Sequence, residues 1–495
     1  MGTLKSRLAT KSALVARALT LAVVLSLCAC GTSVTTATPA RSPAQESSNA
    51  QPVMPIGHVG RWLTDAKGRV LLVHGVNMVA KHAPYYPAAF GFSSTDASWL
   101  AANGFKIVRL GVLATGIMPT RGTINQSYIN HIASTVNMLG AHGVLTLLDF
   151  HQDGWGPAVG SDGFPAWMTL TGSAVNNHVG FPLYYVQDPA VQQAFQSFWN
   201  NAKVPGGLGL QVYYAQMLSA LAKTFAHSPY VVGYDLFNEP WPGTTWQPCI
   251  TSSGCPQLDA KELAPLYARA VKAIRSQGDH HLIFEEPFVL FNFGISGADI
   301  SLPGNDPNSA LSFHMYTSSP AREPDVLANA EAWAHRTGGA LLNTEWGATS
   351  DPAAILRQTN ELDSALLPWI FWSFNSWMVH SLALPPSGSN LINSTVSALV
   401  QPYPLLVTGT PKSFSYNSST RVMSATWSTQ RPGGGRYSHN TLSSIVVPSA
   451  VYPDGYRVTV SGAKVMSRPC APNLLLANVR DAATVSVKVS PGSCS

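Results

Sequence analysis

The sequence predicts an eight-stranded (β/α)₈ barrel followed by a small β-sandwich, and three observations carry that expectation. Eight apolar runs alternate with stretches of helical period, polar residues close most of those runs, and after about residue 400 the helical period stops. The runs are Leu71–Met78, Phe105–Val112, Gly143–Phe150, Tyr230–Asn238, His281–Pro287, Ala310–Tyr316, Gly339–Trp346 and Leu367–Phe374. Helix-period stretches between them include Tyr128–Leu139, Val212–Phe225, Leu263–Ser276, Val326–His335 and Ala353–Leu366.

Ahead of the barrel stands an export signal. Lys5, Arg7, Lys11 and Arg17 precede an apolar stretch, Ala18–Leu27, too short to span a bilayer, and small residues follow. Residues 1–29 therefore read as a signal peptide. Leu27-Cys28-Ala29-Cys30 resembles a bacterial lipobox, which makes Cys30 the expected lipidation site, with plain secretion as the alternative. Residues 30–55, rich in Ser, Thr, Ala and Pro, read as a lipidated Cys and flexible tether. The expected localisation is an exported bacterial cell-membrane lipoprotein or a secreted protein.

Charge excludes one class of partner. The formal +5 falls to about +1 once the four leader cations are removed, so nucleic-acid binding has no electrostatic support. With 45% hydrophobic and 11% charged residues, the remaining chain can bury a large core. The barrel is expected over residues 56–400.

Polar residues at the C-terminal ends of the runs should converge at one barrel mouth: Asn77, Arg109, Asp149, His151, Asn238, Glu239, Glu286, His314, Tyr316, Glu345 and Trp372. Two carboxylates stand out. Glu239 closes the fourth run and Glu345 the seventh, and paired carboxylates at a barrel mouth suit glycoside hydrolysis, one as proton donor and one as nucleophile. An ionised Glu345 would keep Glu239 protonated. Asn238 can donate to a sugar hydroxyl, and Arg109, His314 and Tyr316 can orient Glu345. Glu285-Glu286 is the competing carboxylate site. Adjacent strand residues face opposite ways, so at most one of these two enters the barrel.

The cysteines fit an oxidising compartment. After Cys28 and Cys30, four remain; three connectivities are possible, and sequence order suggests the local pairs Cys249–Cys255 and Cys470–Cys494. No CxxC or HExxH occurs, so no metal site is expected, and no cofactor.

Residues 401–495 carry short alternating segments, Arg421–Ser428, Ser443–Val447, Tyr456–Ser461 and Thr484–Val489, between Pro and Gly turns. They read as a β-sandwich of roughly 90 residues. It serves either as a buttress on the barrel or as a sugar or membrane contact.

Asn-Glu-Pro after the fourth run, Glu-Trp-Gly after the seventh, Arg on the second and His-x-Tyr on the sixth resemble glycoside hydrolase family 5. The stretches GVNMVAKHAPYYP, LDFHQDGW, GYDLFNEPWPG and YPDGYRV are similar to the endoglycoceramidases and related glycolipid glucosidases of that family. The resemblance implies Glu239 as acid/base and Glu345 as nucleophile, supported by Asn238, His314 and Tyr316. It further implies that Lys81 and Asp153 grip sugar hydroxyls while Trp167 and Trp372 stack on the sugar; His151 joins this substrate-binding set. The expected function is a retaining β-glycosidase that cleaves glycan from a ceramide-type lipid. The alternatives are an endo-β-1,4-glucanase or β-glucosidase on soluble glucans, and a non-catalytic sugar-binding lipoprotein. The expected partners are a glycolipid or β-glucoside substrate and, through the N-terminal lipid, a membrane. Trp155, Phe164, Trp167, Met168, Phe181, Tyr184 and Tyr185, within the nearly uncharged segment 154–185, are expected to supply an apolar wall for the lipid.

Overall fold

The computed structural model describes residues 50–494 apart from positions 302, 318 and 439. The signal peptide, Cys30 and most of the expected tether lie outside the described residues. Eight parallel strands close a barrel in chain order: β1 His74–Met78, β2 Ile107–Leu113, β3 Leu145–His151, β4 Val231–Asp235, β5 Leu282–Glu285, β6 Ser309–Met315, β7 Ala340–Trp346 and β8 Trp369–Phe371. Every residue of these strands is buried, because helices cover the outer face and side chains fill the inner one. That double burial explains why the runs read as continuous rather than alternating. Neighbouring backbones pack closely: a Cβ on Gly75 would lie 2.2 Å from the Ile107 carbonyl oxygen.

The expected helices form with identifiable starts. Asn125 caps Gln126–Ala141 by accepting from the Tyr128 N–H, and Asp351 caps Pro352–Ser364 with proline in the first turn. Ser93 and Asp96 form a capping box on Ser94–Ala102, and Asp188 caps Pro189–Trp199. These last two helices were not among those expected from periodicity. Among the described residues no helix is long and apolar enough to cross a membrane.

The first expected strand divides. Leu72 and Val73 separate Val70–Leu71 from β1, and Val70–Leu71 pairs instead with Tyr403–Val407 of the C-terminal unit. Gly57–Val59 and Trp62–Thr64 join the same sheet, so the N-terminal end of the range 56–400 supplies strands outside the barrel. The chain from Ala50 to Pro55 is also engaged rather than free. Ala50 is buried on Leu442 and Leu475, Arg69 donates to the Gln51 carbonyl, and Val53 N–H donates to Asp65.

The C-terminal unit packs a seven-stranded sheet against a four-stranded antiparallel one, Thr410–Asn417, Val422–Ser428, Thr484–Pro491 and Tyr456–Ser461. It abuts the N-terminal ends of the barrel strands. The His74 ring stacks between Trp369 and Tyr403, with centroids 4.0 and 3.7 Å away, and the Tyr403 hydroxyl donates to the Gly104 carbonyl. Disulfides join Cys249 to Cys255 and Cys470 to Cys494, as their order in the chain suggested.

Candidate active site

The C-terminal ends of the strands converge on Arg109, which is wholly buried at the barrel axis. Its Nε donates to Asp235 at 2.9 Å, Nη1 to Glu345 Oε1 at 2.6 Å, and Nη2 to Asn238 Oδ1 and Glu286 Oε1, both at 2.8 Å. Asp149 lies 3.0 Å from Nη2. Burial opposes the guanidinium charge, but these carboxylates outweigh it and raise its pKa well above the usual value. One cation thus ties β2 to β3, β4, β7 and the end of β5.

Glu239 and Glu345 meet beside it. One side-chain oxygen of each and a ring nitrogen of His314 all lie within 4.8 Å of one another. Glu239 Oε1 accepts from Asn292 Nδ2 at 2.9 Å and lies 2.8 Å from His314 Nδ1, which leaves Oε2 toward the cavity. Glu345 has both oxygens engaged, Oε1 by Arg109 and Oε2 by the Tyr316 hydroxyl at 3.0 Å. Burial raises the Glu345 pKa and Glu239 adds to it, while His314 and Arg109 pull it down. Burial works against charge on His314, yet Glu286 and Glu345 hold its pKa well above normal, which favours the protonated ring.

Glu286 faces the barrel interior and Glu285 faces away, as strand alternation requires. Glu286 Oε2 accepts the Glu239 backbone N–H at 2.8 Å, and its Oε1 lies 3.2 Å from His314 Nε2. Burial, with repulsion from Asp235, pushes its pKa up to about 8. Asn238 turns inward, accepting from Arg109 and donating Nδ2 to the Gln152 carbonyl at 3.0 Å.

A second charged group forms the other side of the mouth. Lys81 Nζ pairs with Asp153, stands 3.7 Å from Asp162 and lies 4.8 Å over the Trp372 ring. His151 stacks on the same indole, and its Nδ1 lies 2.7 Å from Asp149. Burial disfavours the His151 charge, but Asp149 and Asp153 raise its pKa to about 10. Burial also lifts Asp162, to about 6, with Asp153 contributing against the pull of Lys81. His151, Asp153 and Asp162 have ligand atoms at metal-like spacing, as do Glu239, His314 and Glu345. Lys81 and Arg109 already bring the positive charge that those carboxylates call for.

These groups line a cavity of about 580 Å³. Lys81, Asp153, Asp162, Glu239, Tyr316 and Glu345 make its polar side; Phe181, Pro182, Tyr184, Tyr185, Val289, Phe293 and Trp372 make the apolar one. Two expectations need correction. Trp167 does not reach the cavity, because its Nε1 donates to the Met118 carbonyl and its ring packs edge-on against Tyr213. The segment 154–185 is only partly a wall. Trp155, Phe164 and Met168 are fully buried in a self-packed aromatic core, whereas Phe181 is 66% exposed at the rim. Asn292, Asp162, Asp235, Val289 and Phe293 were missed; Asn292, Val289 and Phe293 lie in a single short 3₁₀ helix after β5, Val289–Phe293, too brief for periodicity to give a signal.

Residues 65–377 match the model of the cellulase family, glycosyl hydrolase family 5, and residues 401–489 match the glycoside hydrolase family 5 C-terminal domain. The chain is 29% identical to Endoglycoceramidase I of Rhodococcus hoagii (strain 103S) over 468 residues, covering 90% of each chain. It is 34% identical to an endoglycoceramidase of Cyanea nozakii over 286 residues, 51% of this chain and 55% of that one. Endo-glycoceramidase II from Rhodococcus sp. in complex with ganglioside GM3 superposes with a TM-score of 0.72 at 25% identity, covering 87% of this chain and 99% of that one.

Proposed function

From the premise that the chain belongs to glycosyl hydrolase family 5, and is therefore a glycoside hydrolase, we propose that it hydrolyses the linkage between glycan and ceramide in glycolipids with retention of anomeric configuration. The observation that carries this reading is the pairing of Glu239 with Glu345 at the floor of a cavity polar on one side and apolar on the other. Inverting enzymes hold the two carboxyl groups about 6.5–9.5 Å apart and retaining ones about 5–5.5 Å; here one oxygen of each lies within 4.8 Å of the other, which favours retention.

The chemistry follows from their partners. Glu345, held between Arg109 and Tyr316, attacks the anomeric carbon while Glu239 protonates the departing ceramide oxygen through its unengaged Oε2. A covalent glycosyl-enzyme results. Glu239, now ionised, takes a proton from water, which attacks the anomeric carbon and releases Glu345. His314 spans both carboxylates, 2.8 Å from one and 3.6 Å from the other, so its positive charge stabilises whichever is ionised. Lys81, Asp153 and Asp162 offer donors and acceptors to sugar hydroxyls, Trp372 offers a stacking face, and Tyr184, Val289 and Phe293 offer the lipid an apolar path.

The leader supports a place for this reaction. A lipidated Cys30 would hold the enzyme at a membrane surface; secretion without lipid is the alternative. The test is product analysis. Incubation with glycosphingolipid in detergent should release the intact glycan and free ceramide, both visible by mass spectrometry, and carboxymethyl cellulose should remain uncut. Cleavage of the cellulose alone would assign the site to soluble β-glucans.

A further inference from the structure

Charge is divided unevenly along the chain. Residues 56–400 hold 16 Lys and Arg against 22 Asp and Glu, whereas residues 401–495 hold nine against two, Asp454 and Asp481. A near-neutral total conceals a cationic C-terminal unit on an acidic barrel.

Within that unit the four-stranded sheet turns one face to solvent. Alternation buries Met423, Ala425 and Trp427 on one strand and Val485, Val487 and Val489 on the next. Their neighbours point outward. The pairing of Lys488 with Ser424 and Thr459, and of Arg457 with Ser490, sets both cations on this outward face. Lys412 sits exposed at a bulge on the opposite edge strand. The other outward positions are Ser, Thr, Asn and one Val, with no carboxylate among them. Lys412, Arg457 and Lys488 make no ion pair among the described residues. The short hydroxyl side chains around them let the long cations protrude.

Two further observations select the occupant. Ala50 packs on the same unit, so the segment from Cys30 joins the folded protein there. The unit also abuts the N-terminal ends of the barrel strands, at His74 and Gly104, whereas the cavity lies at their C-terminal ends.

We infer that the outward face of the four-stranded sheet docks on an anionic phospholipid bilayer, through Lys412, Arg457 and Lys488, with the barrel mouth turned away from that surface. The orientation delivers the cavity to glycolipid arriving from outside the docked membrane, a consequence that rests on the proposed function. The docking itself does not. Each basic side chain at an anionic leaflet strengthens binding roughly fivefold, so three on one face account for roughly a hundredfold.

Sedimentation with phospholipid vesicles that contain no glycolipid tests this apart from catalysis. The Cys30→Ser chain, which cannot be lipidated, should sediment with vesicles containing phosphatidylglycerol, not with pure phosphatidylcholine, and high salt should release it. The triple variant Lys412→Gln, Arg457→Gln, Lys488→Gln should bind roughly a hundredfold more weakly, with melting temperature and hydrolysis of a soluble aryl glycoside unchanged. The control pair Lys223→Gln, Lys272→Gln on the barrel helices should bind as the parent does. Equal partition to both vesicle types, full binding by the triple variant, or binding to heparin or a DNA duplex with vesicles untouched would each overturn the assignment.

Discussion

The backbone N–H of Glu239 donates to Glu286 Oε2 at 2.8 Å, in a residue whose φ is 44°. A non-glycine residue in the left-handed region costs about 1–2 kcal/mol, and this bond offsets the cost by fixing the amide at the end of β5. The same Glu286 accepts from Arg109, which in turn holds Glu345. One side chain therefore positions both proposed catalytic groups without touching substrate. Glu286→Ala is expected to lower kcat roughly hundredfold with little change in KM. Glu286→Gln keeps an oxygen for the Glu239 N–H and should lose much less. Equal losses in the two variants, both folded by circular dichroism, would remove the hydrogen bond as the cause.

Glu239→Gln and Glu345→Gln should each abolish glycolipid turnover, but not in the same way. An aryl glycoside with a good leaving group needs no protonation, so it should partly restore the Glu239 variant and leave the Glu345 variant inactive. NMR of the first-formed sugar should show the retained anomer. An inverted product would contradict both assignments together.

The legibility of these features follows their physics. The barrel was readable because strands buried on both faces are apolar throughout, and Glu239 and Glu345 because ionisable residues at the ends of such strands interrupt an otherwise uniform pattern. Arg109 could be placed on its strand, but four carboxylates sharing it could not, since they come from distant runs. Trp167 misled because an indole in an apolar segment looks the same whether it faces a sugar or the Met118 carbonyl. The strands Gly57–Val59 and Trp62–Thr64 were missed for another reason: they are short, and although they pair locally with each other and with Val70–Leu71, it is Val70–Leu71 that joins them to a strand more than 300 positions away.

The pH dependence of kcat/KM should carry the electrostatics of His314. Glu345 must be ionised to attack, so activity rises as pH climbs through its pKa, which burial has raised and the His314 charge pulls back down. Replacing His314 with Gln removes that pull. The acid limb of the profile should therefore move to higher pH, with the direction set by loss of a cation beside a carboxylate. An unshifted or downward-moving limb would place the controlling charge elsewhere.

His151 should shape stability in alkali. Folding raises its pKa from the ordinary 6.5 to about 10, chiefly because Asp149 and Asp153 outweigh the cost of burial. Its contribution is complete below the unfolded value and is lost as pH rises from 6.5 toward 10. The parent protein should therefore lose melting temperature across that window more steeply than His151→Asn, which has no proton to give up. Parallel slopes would show that the ring is neutral in the folded protein.

Phe181 offers the sharpest distinction between a lipid and a sugar aglycone. It lines the cavity yet is 66% exposed, whereas its neighbours Tyr184 and Tyr185 are only 5% and 4% exposed. Removing it should cost little stability, because little of its surface is buried against protein. A lipid chain leaving the cavity would cross this rim and bury part of the ring, worth about 1 kcal/mol or more at roughly 25 cal/mol per Å². Phe181→Ser is accordingly expected to lower kcat/KM on glycosphingolipid by about tenfold and to leave a short aryl glycoside, which ends before the rim, nearly unaffected. Equal losses on both substrates would mean that the ring organises the pocket rather than meeting lipid, and would return soluble β-glucan to contention.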